Sequence, residues 1–282
     1  MAPRAASAAI HGLGVSAMSN GTIGQIQTLN NAAAGSTMRT MLNKVPEVTM
    51  IFWIVKMMST TVGETAADYL NFNLGFGLFN TLMAAIMLFA AVLVFQMFQK
   101  EYIPAWYWGV VVLVSVVGTL ITDYMVDTMG ISLEATTIGF SLALAATFAA
   151  WFASEKTLSI HTIFTSRRES FYWLAILFTF ALGTAAGDLI AESVGLGYAI
   201  SAAVFGGIIA IIYGGYLNGL NAVFAFWIAY IITRPFGASL GDLLSQNKAA
   251  GGLDLGATGT SILFPAVITG LVGWMTYVRK TP

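Results

Sequence analysis

The chain has no cysteine, only two histidines, and few charges. Charged residues make up 9% of 282, where a soluble domain is nearer ~25%. The missing cysteine excludes disulfides and thiolate metal sites, though it assigns no compartment. The histidines, His11 and His161, both fall outside the apolar segments, so a histidine zinc site inside them is excluded. A net charge of −1 argues against nucleic acid as a partner. There is no Walker loop, no HExxH and no nucleophile–base–orienter set, so neither an enzyme nor a bound cofactor is expected. The Gly-Thr-Ala-Ala-Gly run at 183–187 lies inside an apolar helix and is no phosphate loop.

What remains is apolar. Hydrophobic residues reach 57% and the mean hydropathy is +0.80. Eight segments of about 20 residues match ~30 Å of hydrocarbon at helical rise. They lie near 47–70, 74–98, 104–127, 132–154, 170–191, 196–216, 221–244 and 257–278. Residues 1–45 are rich in Ala, Gly, Ser and Asn and lack a convincing cleavage site. They read as a flexible cytoplasmic tail, with a start at Met38 or Met41 as the rival reading. Residues 46–282 then form one membrane domain, with lipid as its first partner.

A template repeats through this domain. An aromatic–Trp pair is followed by Gly ten residues after the Trp and Asp five residues later. The copies are Phe52-Trp53…Gly63…Asp68, Tyr107-Trp108…Gly118…Asp123, Tyr172-Trp173…Gly183…Asp188 and Phe226-Trp227…Gly237…Asp242. Four tandem repeats of two helices follow, near 46–100, 101–160, 165–219 and 220–282. The expected fold is all-α and polytopic, with eight transmembrane helices. Two helices per unit give every repeat the same orientation, hence pseudo-symmetry about the membrane normal. Thr81, Thr136 and Ser201 follow the Asp by thirteen residues on the even helices, and Thr260 takes that place in the last repeat.

Lysine and arginine give the topology. Nine (Arg4, Arg39, Lys44, Lys100, Lys156, Arg167, Arg168, Arg279 and Lys280) lie in the tails and the loops after even helices; only Lys248 lies opposite. Both termini are expected in the cytoplasm. Trp53, Trp108, Trp173 and Trp227 then serve as anchors near the cytoplasmic interface, with the Asp residues ~22 Å further out. Repeats three and four carry Gly183-x-x-x-Gly187 and Gly237-x-x-x-Gly241, a spacing that lets helices approach closely in lipid.

Two readings compete for Asp68, Asp123, Asp188 and Asp242. They form a carboxylate ring on a path for a cation or proton, or each caps a turn by accepting backbone amides. Gly75, Gly130 and Gly195, seven residues on, favour a fixed turn. The departures from symmetry are sharper. Glu64 stands where the other copies have Thr119, Thr184 and Ala238. Lys56 stands against Val111, Ile176 and Tyr230. Arg234 stands against Thr60, Ser115 and Phe180. Charges at such depth are costly and mark a site or a structural pair. Glu64 and Asp68 share a helix face and are the candidate ligands for a hard cation, with Thr60 one turn away. Lys56 and Arg234 are the candidate counter-charges. Pro235 is expected to break or kink its helix and free carbonyls there.

The segments Asn43-Lys44-Val45-Pro46-Glu47-Val48-Thr49, Thr60-Thr61-x-Gly63-Glu64-Thr65, Tyr172-Trp173, Gly183-Thr184-Ala185-x-Gly187-Asp188 and Thr233-Arg234-Pro235-x-Gly237-Ala238 support a resemblance. Over about 43–280 the chain resembles a bacterial membrane-protein family of four tandem two-helix repeats. That family is labelled a membrane-anchored protein predicted to regulate amylopullulanase. The resemblance implies the fold and names no substrate. The expected protein is an inner-membrane transporter of a small cation, proton-coupled through Glu64, and compatible with a homo-oligomer. The alternatives are a non-transporting scaffold or regulator with structural ion pairs, and an anion or solute site on Lys56 and Arg234.

Overall fold

A computed structural model describes residues 43–73 and 75–280. The chain divides after Asn43, and the unit described here is Lys44–Pro282. The tail expected over 1–45 lies outside the described residues as far as residue 42. The described part is all-helical, with eight long helices: α1 (Met50–Asp68), α2 (Leu78–Phe98), α3 (Pro104–Asp123), α4 (Leu133–Glu155), α5 (Ser166–Asp188), α6 (Gly197–Leu217), α7 (Ala222–Ser245) and α8 (Gly256–Lys280). Among the described residues, seven helices are long and apolar enough to cross a membrane. The eighth, α1, holds Lys56, Glu64 and Asp68, which lower its hydropathy.

Local chemistry starts the helices. Thr49, Ser132, Thr165 and Asn221 cap α1, α4, α5 and α7 by accepting amide hydrogens from the first turn. Pro104 opens α3, where its missing N–H costs nothing. α1, α3 and α5 each run past their Asp into a five-residue π-helical turn, at Tyr69–Asn73, Tyr124–Thr128 and Leu189–Ser193. Gly75, Gly130 and Gly195 then reverse the chain with φ of 66°, 69° and 76°, a region open to Gly.

The odd helices form a closed ring: α1 packs on α3, α3 on α5, α5 on α7, and α7 on α1. Even helices lie outside it. Each packs on the odd helix of the following repeat: α2 on α3, α4 on α5, α6 on α7, and α8 back on α1. Burial divides the two sets, with 56% of the spanning window buried in each of α3, α5 and α7 and 6–28% in the even helices. The four repeat hydroxyl residues of the even helices, Thr81, Thr136, Ser201 and Thr260, are buried. The hydroxyls of Thr81, Thr136 and Thr260 donate to the carbonyl four residues back, which satisfies them in an apolar setting.

The template explains the ring. The glycine of each odd helix receives a side chain or backbone from the next: Gly63 faces Ser115, Gly118 faces Phe180, Gly183 faces Arg234, and Gly237 faces Thr60. A Cβ at Gly118 would lie 2.7 Å from Phe180 Cβ, and one at Gly237 2.7 Å from Thr60 Cβ. The aromatic before each Trp meets the Trp of the next repeat in the same cycle: Phe52 with Trp108 (5.6 Å between centroids), Tyr107 with Trp173 (5.5 Å), Tyr172 with Trp227 (6.1 Å) and Phe226 with Trp53 (5.8 Å). The tryptophans read as interface anchors thus pack against one another's repeats. Trp108, Trp173 and Trp227 are buried and Trp53 half-buried. Trp108 and Trp227 donate their indole N–H within the protein, to Tyr102 Oη and the Leu158 carbonyl. A buried indole gains both ring contacts and an acceptor for its N–H in this way.

Candidate functional site

Residues spaced four apart share one face of a helix. On the ring helices that face turns inward and stacks in layers. From the Trp end the layers are Phe52, Tyr107, Tyr172, Phe226; then Lys56, Val111, Ile176, Tyr230; then Thr60, Ser115, Phe180, Arg234; then Glu64, Thr119, Thr184, Ala238. Each of these sixteen residues is 9% exposed or less. The fifth layer is Asp68, Asp123, Asp188 and Asp242.

The Asp layer opens into a cavity of about 140 Å³. All four Asp residues and Glu64 line it, with Thr122, Asn71 and Tyr198. The tightest group is Glu64, Asp188 and Asp242, whose carboxylate oxygens lie within 4.8 Å of one another. Spacing along α1 suggests Glu64 with Asp68; the structure gathers Glu64 with residues from repeats three and four. Thr122 is held on the wall by donating to the Ala181 carbonyl, 3.0 Å.

The Asp residues do not act as turn caps. Asp123 and Asp188 make no capping bond, and among the described residues no backbone amide donates to any of the four. The turns are held by backbone bonds five or six residues apart, such as Met129 N to Tyr124 O (3.1 Å) and Val194 N to Leu189 O (2.9 Å), and by the glycines. The repeated Gly marks the turn, and the repeated Asp marks the cavity.

Arg234 closes the cavity floor. Its Nη1 pairs with Glu64 Oε2 at 2.9 Å and donates to the Thr60 carbonyl at 3.3 Å. Its Nη2 donates to Thr184 Oγ1 at 2.7 Å and to Thr119 Oγ1. Thr119 in turn donates to Glu64 Oε2 at 2.9 Å. The guanidinium therefore sits in the Glu64 layer and binds all three other repeats, two residues of the first and one each of the second and third, with the centre of the Phe180 ring 5.1 Å away. Gly183 makes room for its stem.

Lys56 lies elsewhere. It is fully buried two layers below Glu64 and does not line the cavity. Its Nζ donates to the Tyr230 carbonyl (2.9 Å) and to Thr233 Oγ1, and lies 4.4 Å from the centre of the Tyr230 ring. It forms no ion pair among the described residues, so it is not a counter-charge in contact with the carboxylates. Thr60 keeps its hydroxyl on the Lys56 carbonyl, 2.9 Å, and contributes only its own carbonyl to the site. The break expected at Pro235 is absent: α7 is continuous through it. Packing of Gly187 against Pro235 and of Gly241 against Glu64 and Thr61 holds the helix in place on both sides.

Sequence reasoning missed three groups. Asp127, Glu192 and Gln246 line the cavity mouth. They sit four residues beyond Asp123, Asp188 and Asp242, so the same spacing extended by one turn finds them. A second buried ion pair, Lys44 Nζ to Glu169 Oε2 at 2.6 Å, lies at the Trp end. Lys44 also donates to the Met97 carbonyl (2.9 Å), tying the entry of α1 to α5 and α2. Tyr107 and Tyr172 share a 2.5 Å hydroxyl hydrogen bond in the first layer.

The model of one family, described as Repeat of Unknown Function (DUF347), matches residues 51–102, 106–157, 171–217 and 225–281. No curated protein and no solved structure matches the chain.

Proposed function

We propose, for a chain that belongs to the family of the Repeat of Unknown Function, that it is a multi-pass membrane transporter of a small cation. Glu64 and the Asp layer are the binding groups, and the movement is coupled to protons. The observation that carries this is charge. Seven carboxylates line the cavity, and among the described residues Arg234 is the one cation paired with any of them, through Glu64. At an effective dielectric of ~20, two like charges 4 Å apart repel by ~4 kcal/mol. A cluster of this kind needs protons or a cation to complete it. Carboxylate, hydroxyl and carbonyl oxygens are hard ligands, suited to hard cations.

In this reading all eight helices span a bacterial inner membrane, α1 included, because its charges face the ring and not lipid. The four repeats are related by a pseudo-fourfold axis along the membrane normal. Both termini are cytoplasmic, from the lysine and arginine bias, so the cavity faces outward. The aromatic layer and the Arg234–Glu64 pair close the inner half, as alternating access requires of an outward-facing state. No catalytic chemistry is assigned.

The test is flux in reconstituted vesicles over a panel of Na⁺, K⁺, Ca²⁺, Mg²⁺ and H⁺, wild type beside Glu64→Gln. Flux of one cation that is lost in folded Glu64→Gln supports the reading. No flux of any ion in wild type overturns it. The second reading, a scaffold or regulator, is favoured by the buried Arg234–Glu64 pair, in which both Arg234 Nη atoms donate. If Glu64→Gln misfolds and adding Arg234→Met restores folding, the pair is structural.

A further inference from the structure

The Arg234 guanidinium has the contacts of a bound ligand. It arises from the third layer of α7 and reaches one layer up, into the centre of the fourth. There it meets only acceptors: Glu64 Oε2, Thr119 Oγ1, Thr184 Oγ1 and the Thr60 carbonyl. Those groups come from α1, α3 and α5. In the fourth position of that layer α7 places Ala238, which leaves room and offers no side-chain ligand. Without the guanidinium, the layer is a ring of oxygens whose own carboxylate is Glu64, with the Asp188 and Asp242 carboxylates within 4.8 Å of it at the floor of an acidic cavity. The Arg234 Nε has no hydrogen-bond partner among the described residues. The stem rests against Gly183, where no Cβ pins it.

We propose that this layer is a site for a monovalent cation, and that Arg234 is a tethered occupant which the cation replaces. The guanidinium that fills the layer carries one positive charge, so an exchange that conserves charge favours an alkali ion or an ammonium or guanidinium group over a divalent ion. The cation first collects in the Asp layer, which raises its local concentration. It then takes Glu64, Thr119, Thr184 and the Thr60 carbonyl as Arg234 withdraws. Arg234 thereby sets both occupancy and specificity, since a cation enters only where it outcompetes a guanidinium. The place of this exchange in a working cycle rests on the transport reading; the existence of the site does not.

The test uses purified full-length protein in detergent. Thermal stability of Arg234→Ala is measured with millimolar guanidinium, methylammonium, Na⁺, K⁺ or Ca²⁺, and with choline for ionic strength. At least one monovalent cation is expected to raise the melting temperature of Arg234→Ala, binding about tenfold or more tightly than to wild type. The gain is expected to vanish in Arg234→Ala with Glu64→Gln. The site is overturned if no cation gives a Glu64-dependent shift, or if Ca²⁺ exceeds every monovalent ion. Arg234→Thr, which installs the residue that repeat one carries there, is measured in parallel. If both variants purify poorly, the readout is the yield of monodisperse protein with and without guanidinium during solubilisation, and no Glu64-dependent gain overturns the site. Flux is read separately. Cation binding to Arg234→Ala beside a wild type that moves no ion keeps the site and removes the transport reading.

Discussion

Gly118→Ala is the sharpest test of how the ring is closed. The added Cβ would lie 2.7 Å from Phe180 Cβ, 3.0 Å from Ala181 N and 3.1 Å from Phe180 C. Carbon contacts are comfortable at ~3.5–4.0 Å, so α3 and α5 must part by roughly 0.7 Å or more. Two of the three atoms are backbone, so no side-chain rotation relieves the contact. Overpacking of this kind costs ~1–3 kcal/mol. The parting also stretches the Thr122 hydrogen bond to the Ala181 carbonyl, now 3.0 Å, which is worth ~1 kcal/mol. Against this, Ala is favoured over Gly in a helix by ~1 kcal/mol. The net expectation is a loss of ~1–3 kcal/mol. Gly139 on α4 is the control: nothing lies within 4 Å of a Cβ there, so Gly139→Ala keeps only the helix gain. Unfolding in detergent, followed by tryptophan fluorescence, compares the two. The reasoning fails if both variants move in the same direction, or if Gly118→Ala is the more stable.

Three further outcomes follow from the geometry. Asp123→Asn, Asp188→Asn and Asp242→Asn are each expected to fold with unchanged or higher melting temperature, since each removes a like charge from the cavity and breaks no amide bond; a uniform loss of ~1 kcal/mol would restore the cap reading. Lys44→Met strands Glu169 in a buried site and is expected to cost ~3–5 kcal/mol. Arg279→Met, whose pair with Glu101 is exposed, is expected to cost under ~1 kcal/mol in the same unfolding assay. A cysteine at position 248 is expected to react with an impermeant thiol reagent in intact cells and one at 168 is not; the reverse result would invert the outward-facing assignment of the cavity.

Much of this was legible in the chain alone, because a repeat copies its own environment. The Trp, Gly and Asp spacing announced four equivalent helices, and low charge with high hydropathy announced a membrane. The odd residues at equivalent positions, Glu64, Lys56 and Arg234, stood out for the same reason. Spacing along one helix says which residues share a face, and that was enough to align Glu64 with Asp68.

It does not say which helix each face meets, and there the tertiary structure decided. Each even helix leaves its own repeat to pack on the next, and α8 returns to α1, so the ring closes through contacts far apart in sequence. Glu64 therefore meets Asp188, Asp242 and Arg234 of repeats three and four, and Lys56, on the same face of α1, meets the Tyr230 carbonyl instead. The tryptophans suit a membrane interface by their chemistry, yet the close approach allowed by Gly63, Gly118, Gly183 and Gly237 draws them into neighbouring rings. Pro235 reads as a break or kink, and of the two the break is absent, with packing on both sides of a continuous α7. A local pattern sets what a residue is able to bind. Closure of the ring sets which partner is within reach, and for a buried charge the partner within reach determines its role.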